Sequence, residues 1–167
     1  MQALLVIDVT LEYLTEEFFA VQIEPQTYDD FIDGITQRVV NINNERVFFF
    51  YDRVGKNLPE PLEDLALQHT KREKHDMSAF DVSGMQIHKS TLHLELRTNN
   101  IKIIEVCGLY SNYCVYSTVS DALWLGYDVL VNPRLILGAN GQIGADIDSI
   151  VNLGVRPSNK GTLRILA

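Results

Sequence analysis

Short runs at Ala3 to Ile7 (ALLVI), Arg46 to Tyr51 (RVFFFY), Ile101 to Cys107 (IKIIEVC) and Tyr127 to Val131 (YDVLV) are apolar nearly throughout instead of alternating with polar residues. A strand with one wet face alternates; an apolar run of this length fits a strand covered on both faces. The intervening segments supply the cover. Tyr28 to Asn43 carries Phe31, Ile32, Ile35, Val39 and Ile42 at helical spacing. His88 to Asn99 sets Leu92, Leu94 and Leu96 among good helix formers, and Cys114 to Leu125 puts Val115, Val119, Ala122 and Leu123 on one face before Gly126 stops it. His69 to Lys74 and Thr162 to Leu166 read as further short strands, Asp146 to Leu153 as a short helix, and Arg53 to Pro61, with its prolines, as a loop. Strands alternating with helices imply right-handed crossovers and a mostly parallel sheet with helices on both sides, an α/β fold. The 167 residues suit one domain spanning 1–167.

The net charge of −8 is spread along the chain without a basic block, which argues against a nucleic-acid partner. No apolar run approaches the ~20 residues of a membrane span. The opening MQALLVIDVTLEYL lacks the positive charge and cleavage site of a signal peptide. Cys107 and Cys114 are the only cysteines, and both read as reduced thiols of a cytoplasmic protein.

In a parallel sheet the site lies beyond the carboxyl ends of the strands. Asp8 ends the first apolar run, and Cys114 follows the third across a turn-like GLYSNY. A cysteine opening a helix meets the positive end of the helix dipole, which favours the thiolate, and free N–H groups that can hold an oxyanion. Cys114 is therefore open to two readings, nucleophile or buried hydrophobe. Asp8 is either a base whose pKa burial raises or a strand-end cap. Lys74 is either a charge stabiliser or a solvated lysine. Cys107, inside a strand, reads as core.

No glycine follows Asp8 until Gly34, so the phosphate cradle of a dinucleotide oxidoreductase is missing and no cofactor is expected. Gly138, Gly141 and Gly144 match no nucleotide pattern and read as turns. His69, His75, His88 and His93 have no metal-ligand spacing, so no metal is expected.

ALLVIDV, KHDMSAF and CGLYSNYCVYSTVSDALWLGYDVLV together resemble the isochorismatase-like cysteine hydrolases, which include nicotinamidases and carbamoyl amidases. The resemblance implies a three-layer α/β/α sandwich with about six strands and a hydrolase of small-molecule amides. It implies Asp8 as base, Cys114 as nucleophile and Lys74 as charge stabiliser. The backbone N–H groups of Tyr110 and Cys114 would form the oxyanion hole, with a cis peptide between Leu109 and Tyr110. Isochorismatases proper lack the cysteine, so Cys114 points to the amidase-like branch.

Other positions depart from the pattern. The usual Gln after the base is Thr10. Where nicotinamidases carry an Asp-x-His metal motif, FYDRVGKN offers Asp52 and no histidine. Tyr110 is bulkier than the usual residue at its position. Phe80 and Tyr113 flank the motifs and are either pocket lining or core. Arg53 reads as a surface residue rather than a carboxylate clamp. A family member that binds a small molecule or partner without turnover is the alternative. Homo-oligomers are common in such a family, and Trp124 is open to facing a partner subunit or lying within one chain.

Overall fold

The apolar runs meet in one sheet. The computed structural model describes residues 1–15, 22–43, 45–82 and 84–167. In it β1 (Gln2–Ile7), β2 (Arg46–Tyr51), β3 (Thr70–Glu73), β4 (Ile103–Leu109), β5 (Asp128–Leu137) and β6 (Leu163–Ile165) form a six-stranded sheet in the order β3-β2-β1-β4-β5-β6. Every pairing between neighbouring strands is parallel. Around it lie α1 (Leu11–Leu14), α2 (Pro25–Val40), α3 (Glu60–Ala66), α4 (Thr91–Thr98), α5 (Cys114–Leu125) and α6 (Ile147–Val151), with 3-10 turns at Gly84–Lys89 and Asn152–Val155.

Successive strand residues point to opposite faces, and both faces are dry. Ala3, Leu5 and Ile7 join Phe48 and Phe50 under Val115, Val119, Ala122 and Leu123 of α5. Leu4 and Val6 join Val47 and Phe49 under Phe31, Ile35 and Val39 of α2 and Leu62 of α3. This is why the central runs never alternate. The second layer also buries Glu105 of β4, which accepts hydrogen bonds from Arg38 Nε at 3.0 and 3.1 Å and Arg38 Nη2 at 2.6 Å. Gln2 Nε2 adds a donor at 3.2 Å.

The chain lays β1 in the middle, grows outward through β2 and β3, then returns to the other side of β1 with β4. The order reverses between β1 and β4, and a crevice opens there at the carboxyl ends.

Several expected boundaries shift. Helix α2 begins at Pro25, because proline at the first helical position costs no hydrogen bond. The expected 53–61 loop gives way at Glu60 to α3, with Pro61 in its first turn. The expected helix over 88–99 is a 3-10 turn followed by α4, capped where the Ser90 hydroxyl accepts from His93 N, and Leu94 is exposed. Strand β4 starts at Ile103 and runs on to Leu109, and β5 continues to Leu137 through an irregularity that contains Pro133. Proline fits such a bulge because it needs no ladder donor. Trp124 packs partly within the chain, its ring 5.0 Å from that of His88 and 4.7 Å from Lys160 Nζ.

Candidate active site

The crevice gathers residues from four adjacent strand ends: Asp8 after β1, Asp52 after β2, Lys74 after β3, and the Tyr110–Cys114 segment after β4. Asp8 N still donates to Phe50 O at 3.0 Å and Lys74 N to Tyr51 O at 2.8 Å, so both residues leave from backbone that the sheet still holds. Asp8 has φ 51, in the left-handed region that non-glycine residues seldom occupy. Gly108 lets the two central strand ends close up: its φ is 119, and a Cβ there would stand 2.1 Å from Ile7 O. The Leu109–Tyr110 peptide is cis.

Lys74 Nζ lies 2.9 Å from Asp8 Oδ2, with both side chains 2% exposed. It also donates to Cys114 Sγ at 3.5 Å and to Asp76 O at 3.0 Å. Burial raises the Asp8 pKa, and Lys74 and the Cys114 thiol only partly offset it. Burial also works against the Lys74 charge, but Asp8 and Cys114 outweigh it, so the lysine holds its proton more tightly than usual.

The expectation of an acidified thiol is not met. Burial pushes the Cys114 pKa up to about 12, the neighbouring Asp8 adds to the rise, and Lys74 opposes it. Helix-end acidification acts on a partly solvated sulfur, whereas this one is desolvated and faces a carboxylate. The resting thiol is therefore protonated. Cys114 is nonetheless the first residue of α5, where its backbone N–H has no intrahelical acceptor. Cys107 is fully buried within β4, as expected of core.

Two openings meet at Cys114. An outer cleft of about 490 Å³ runs past Arg53, His75 and Asp76. An inner pocket of about 200 Å³ is walled by Tyr13, Leu109, Tyr110 and Tyr113 and reaches Asp8. Asp52 and Met77 border both. Tyr113 is 45% exposed at the pocket mouth. Phe80 is 1% exposed and stacks on Tyr127 with ring centroids 6.1 Å apart, in the core and away from both openings. Arg53 is 76% exposed and lies 4.0 Å from Glu73. Thr10 is buried two residues after Asp8, and its hydroxyl has no hydrogen-bond partner among the described residues.

The sequence reading missed two parts of the inner pocket. Tyr13, on α1, donates its hydroxyl to Asp52 Oδ2. Asp52 was notable in the sequence only for lacking a histidine companion, yet its Oδ1 accepts from Val54 N and Gly55 N at 2.9 Å each. Asp52 and Gly55 are near neighbours in a loop, a signal for a side-chain-closed turn. Nothing local links Tyr13 to Asp52. Among the described residues no group of three or more His, Cys, Asp or Glu is placed to hold a metal ion, and no helix is long and apolar enough to cross a membrane.

Residues 2–141 match the isochorismatase domain, and the chain belongs to the isochorismatase family. Solved structures share the fold. The pyrazinamidase/nicotinamidase from Streptococcus mutans UA159 is 22% identical with a TM-score of 0.71, over 98% of this chain and 100% of that one. The nicotinamidase from Staphylococcus aureus is 20% identical with a TM-score of 0.75, over 96% and 98%. The N-carbamoylsarcosine amidase from Thermoplasma acidophilum is 17% identical with a TM-score of 0.66, over 98% and 95%. No curated protein sequence matches the chain.

Proposed function

We propose that this protein hydrolyses an amide or related C–N bond of a small molecule through a thioester on Cys114. The observation that carries the reading is the Lys74 ammonium, buried 2.9 Å from Asp8 Oδ2 and 3.5 Å from Cys114 Sγ. A buried lysine is costly, and this one lies against both the thiol and the carboxylate that would serve as its base. Family membership and the amidase neighbours point the same way.

In this mechanism Asp8 takes the Cys114 proton as sulfur attacks the carbonyl carbon. The backbone N–H groups of Cys114 and Tyr110 receive the oxyanion. Asp8 returns the proton to the leaving nitrogen as the C–N bond breaks, releasing the amine or ammonia and leaving the thioester. Water, deprotonated by Asp8, then attacks the thioester, and the acid departs as the thiol is restored. Lys74 keeps the site balanced while the negative charge moves between carboxylate and sulfur. The scheme needs no free thiolate at rest, because the proton passes directly to an adjacent carboxylate as sulfur attacks.

The raised thiol joins the departures at Thr10 and Tyr110 in favour of the alternative, a binding protein without turnover. Ammonia release from a panel of small primary amides and carbamoyl compounds, wild type beside Cys114→Ala, decides between them. Release that disappears in the variant supports the thioester route. Full activity in the variant refutes it, and absence of release from wild type across the panel favours the binder.

A further inference from the structure

We infer that the inner pocket recognises a positively charged group on the acyl side of the substrate, with Asp52 as the residue that sets this preference. Placement of that group on the acyl side rests on the amidase reading; the charge preference does not. Asp52 borders both openings next to Cys114, and among the described residues no Lys, Arg or His lines the inner pocket. Its donors are the Tyr13 hydroxyl and the N–H groups of Val54 and Gly55. These are neutral dipoles: they hold a carboxylate in place without cancelling its charge.

The nearby cations are engaged elsewhere. Lys74 faces Asp8 at 2.9 Å, so with the protonated thiol the triad is neutral as a unit. In the outer cleft Arg53 lies 4.0 Å from Glu73, and His75 lies 3.0 Å from Asp81 and 3.7 Å from Glu73. Burial opposes ionisation of Asp52, but the hydrogen bonds from Tyr13, Gly55 and Val54, with Lys74 nearby, hold its carboxyl below the usual carboxylate range. Among the described residues the inner pocket thus carries the Asp52 carboxylate with no Lys, Arg or His paired to it at salt-bridge distance. Its walls include Tyr13, Tyr110 and Tyr113, and aromatic rings attract cations and repel anions at their faces. A partly desolvated charge discriminates strongly between ligands of opposite sign.

Planar primary amides of one shape and three charges test the inference: N-methylpyridinium carboxamide with the amide meta to nitrogen, meta-methylbenzamide, and meta-carbamoylbenzoate. Calorimetric binding is measured on Cys114→Ala protein, which removes turnover from the readout. The cation binds at least about tenfold tighter than the neutral isostere, and the anion at least about tenfold weaker. Asp52→Asn, placed in the same background and checked for an unchanged circular dichroism spectrum, brings the three to within about threefold. Equal or tighter binding of the neutral or anionic amide, a spread that survives Asp52→Asn, or no binding of any of the three overturns the inference. The expected binding order without wild-type hydrolysis would leave the inference standing and the amidase reading failed. Hydrolysis without that order would do the reverse.

Discussion

The Lys74 ammonium stands 2.9 Å from the Asp8 carboxylate in a place where both side chains are 2% exposed. Opposite charges this deep depend on one another. Apart from Lys74 and the Cys114 thiol, the Asp8 carboxylate has no hydrogen-bonding partner among the described residues. Lys74→Met is expected to destabilise the fold by about 3 kcal/mol, because it strands a buried carboxylate. Asp8→Asn strands the ammonium, at a similar cost. The double variant recovers most of the loss, since an uncharged pair needs no partner. Chemical denaturation of the four proteins measures this coupling, and additive losses would show that the two charges act independently.

In the proposed mechanism Asp8 must be unprotonated to accept the thiol proton, and burial raises its pKa from 3.8. A raised base pKa moves the acidic limb of activity upward: below it the base carries a proton and the rate falls, above it the rate levels off. The acidic limb of kcat/KM is therefore expected above the ordinary carboxylate range. A limb at or below 3.8 would contradict this.

Burial leads the rise of the Cys114 pKa to about 12, Asp8 adds to it and Lys74 opposes it. Alkylation by iodoacetamide should therefore be slow at neutral pH and climb as pH rises toward that value, with no plateau near neutrality. Asp8→Asn removes a raising influence, so it should speed alkylation while abolishing hydrolysis. Lys74→Met removes a lowering influence and should slow alkylation. Cys107, fully buried, does not compete. Slower alkylation in Asp8→Asn would sink this account of the thiol.

On the opposite side of the sheet, Arg38 reaches Glu105 with contacts of 2.6 to 3.1 Å. Arg38→Met leaves the buried Glu105 side chain without its guanidinium partner and is expected to cost about 3 kcal/mol or more. Adding Glu105→Leu restores much of it. Thermal melts of the single and double variants provide the comparison.

Two glycines with positive φ separate crowding from backbone preference. At Gly108 a Cβ would stand 2.1 Å from Ile7 O, a backbone atom with nowhere to go, whereas at Gly126 the nearest atom is Lys160 Cβ at 3.6 Å. Gly108→Ala is expected to cost more than about 3 kcal/mol, and Gly126→Ala about 1 kcal/mol. Similar melting temperatures for the two variants would contradict the steric argument.

The four inner strands β2, β1, β4 and β5 were legible because burial on both faces writes a mostly apolar run, which the edge strands β3 and β6 lack. Helix α5 was legible because its apolar stripe ends at Gly126, which adopts the left-handed conformation. Helix α3 was not, since prolines that suit a helix's first turn also read as loop formers. Asp8, Lys74 and Cys114 could each be singled out from their motifs, and their convergence follows from strand order. The Tyr13–Asp52 contact could not, because it joins residues with no local signal between them. The thiol's acidity was misread for a related reason: a helix start is local information, while the burial and the carboxylate that govern it come from elsewhere in the chain.

The pairing of β1 with β4 sets Gln2 opposite Ile103 and Ile7 opposite Gly108, residues about a hundred positions apart. Contacts of such sequence separation form late and slow a chain's folding, because a long loop must close before they stabilise anything. Asp8 and Cys114 follow the two partners of that closure. A nascent chain can finish β1, β2 and β3 and still have no site, and a fragment ending before β4 lacks the thiol altogether. The crevice therefore comes into being only with the central pairing, so its appearance marks completion of the longest-range step in assembling the sheet.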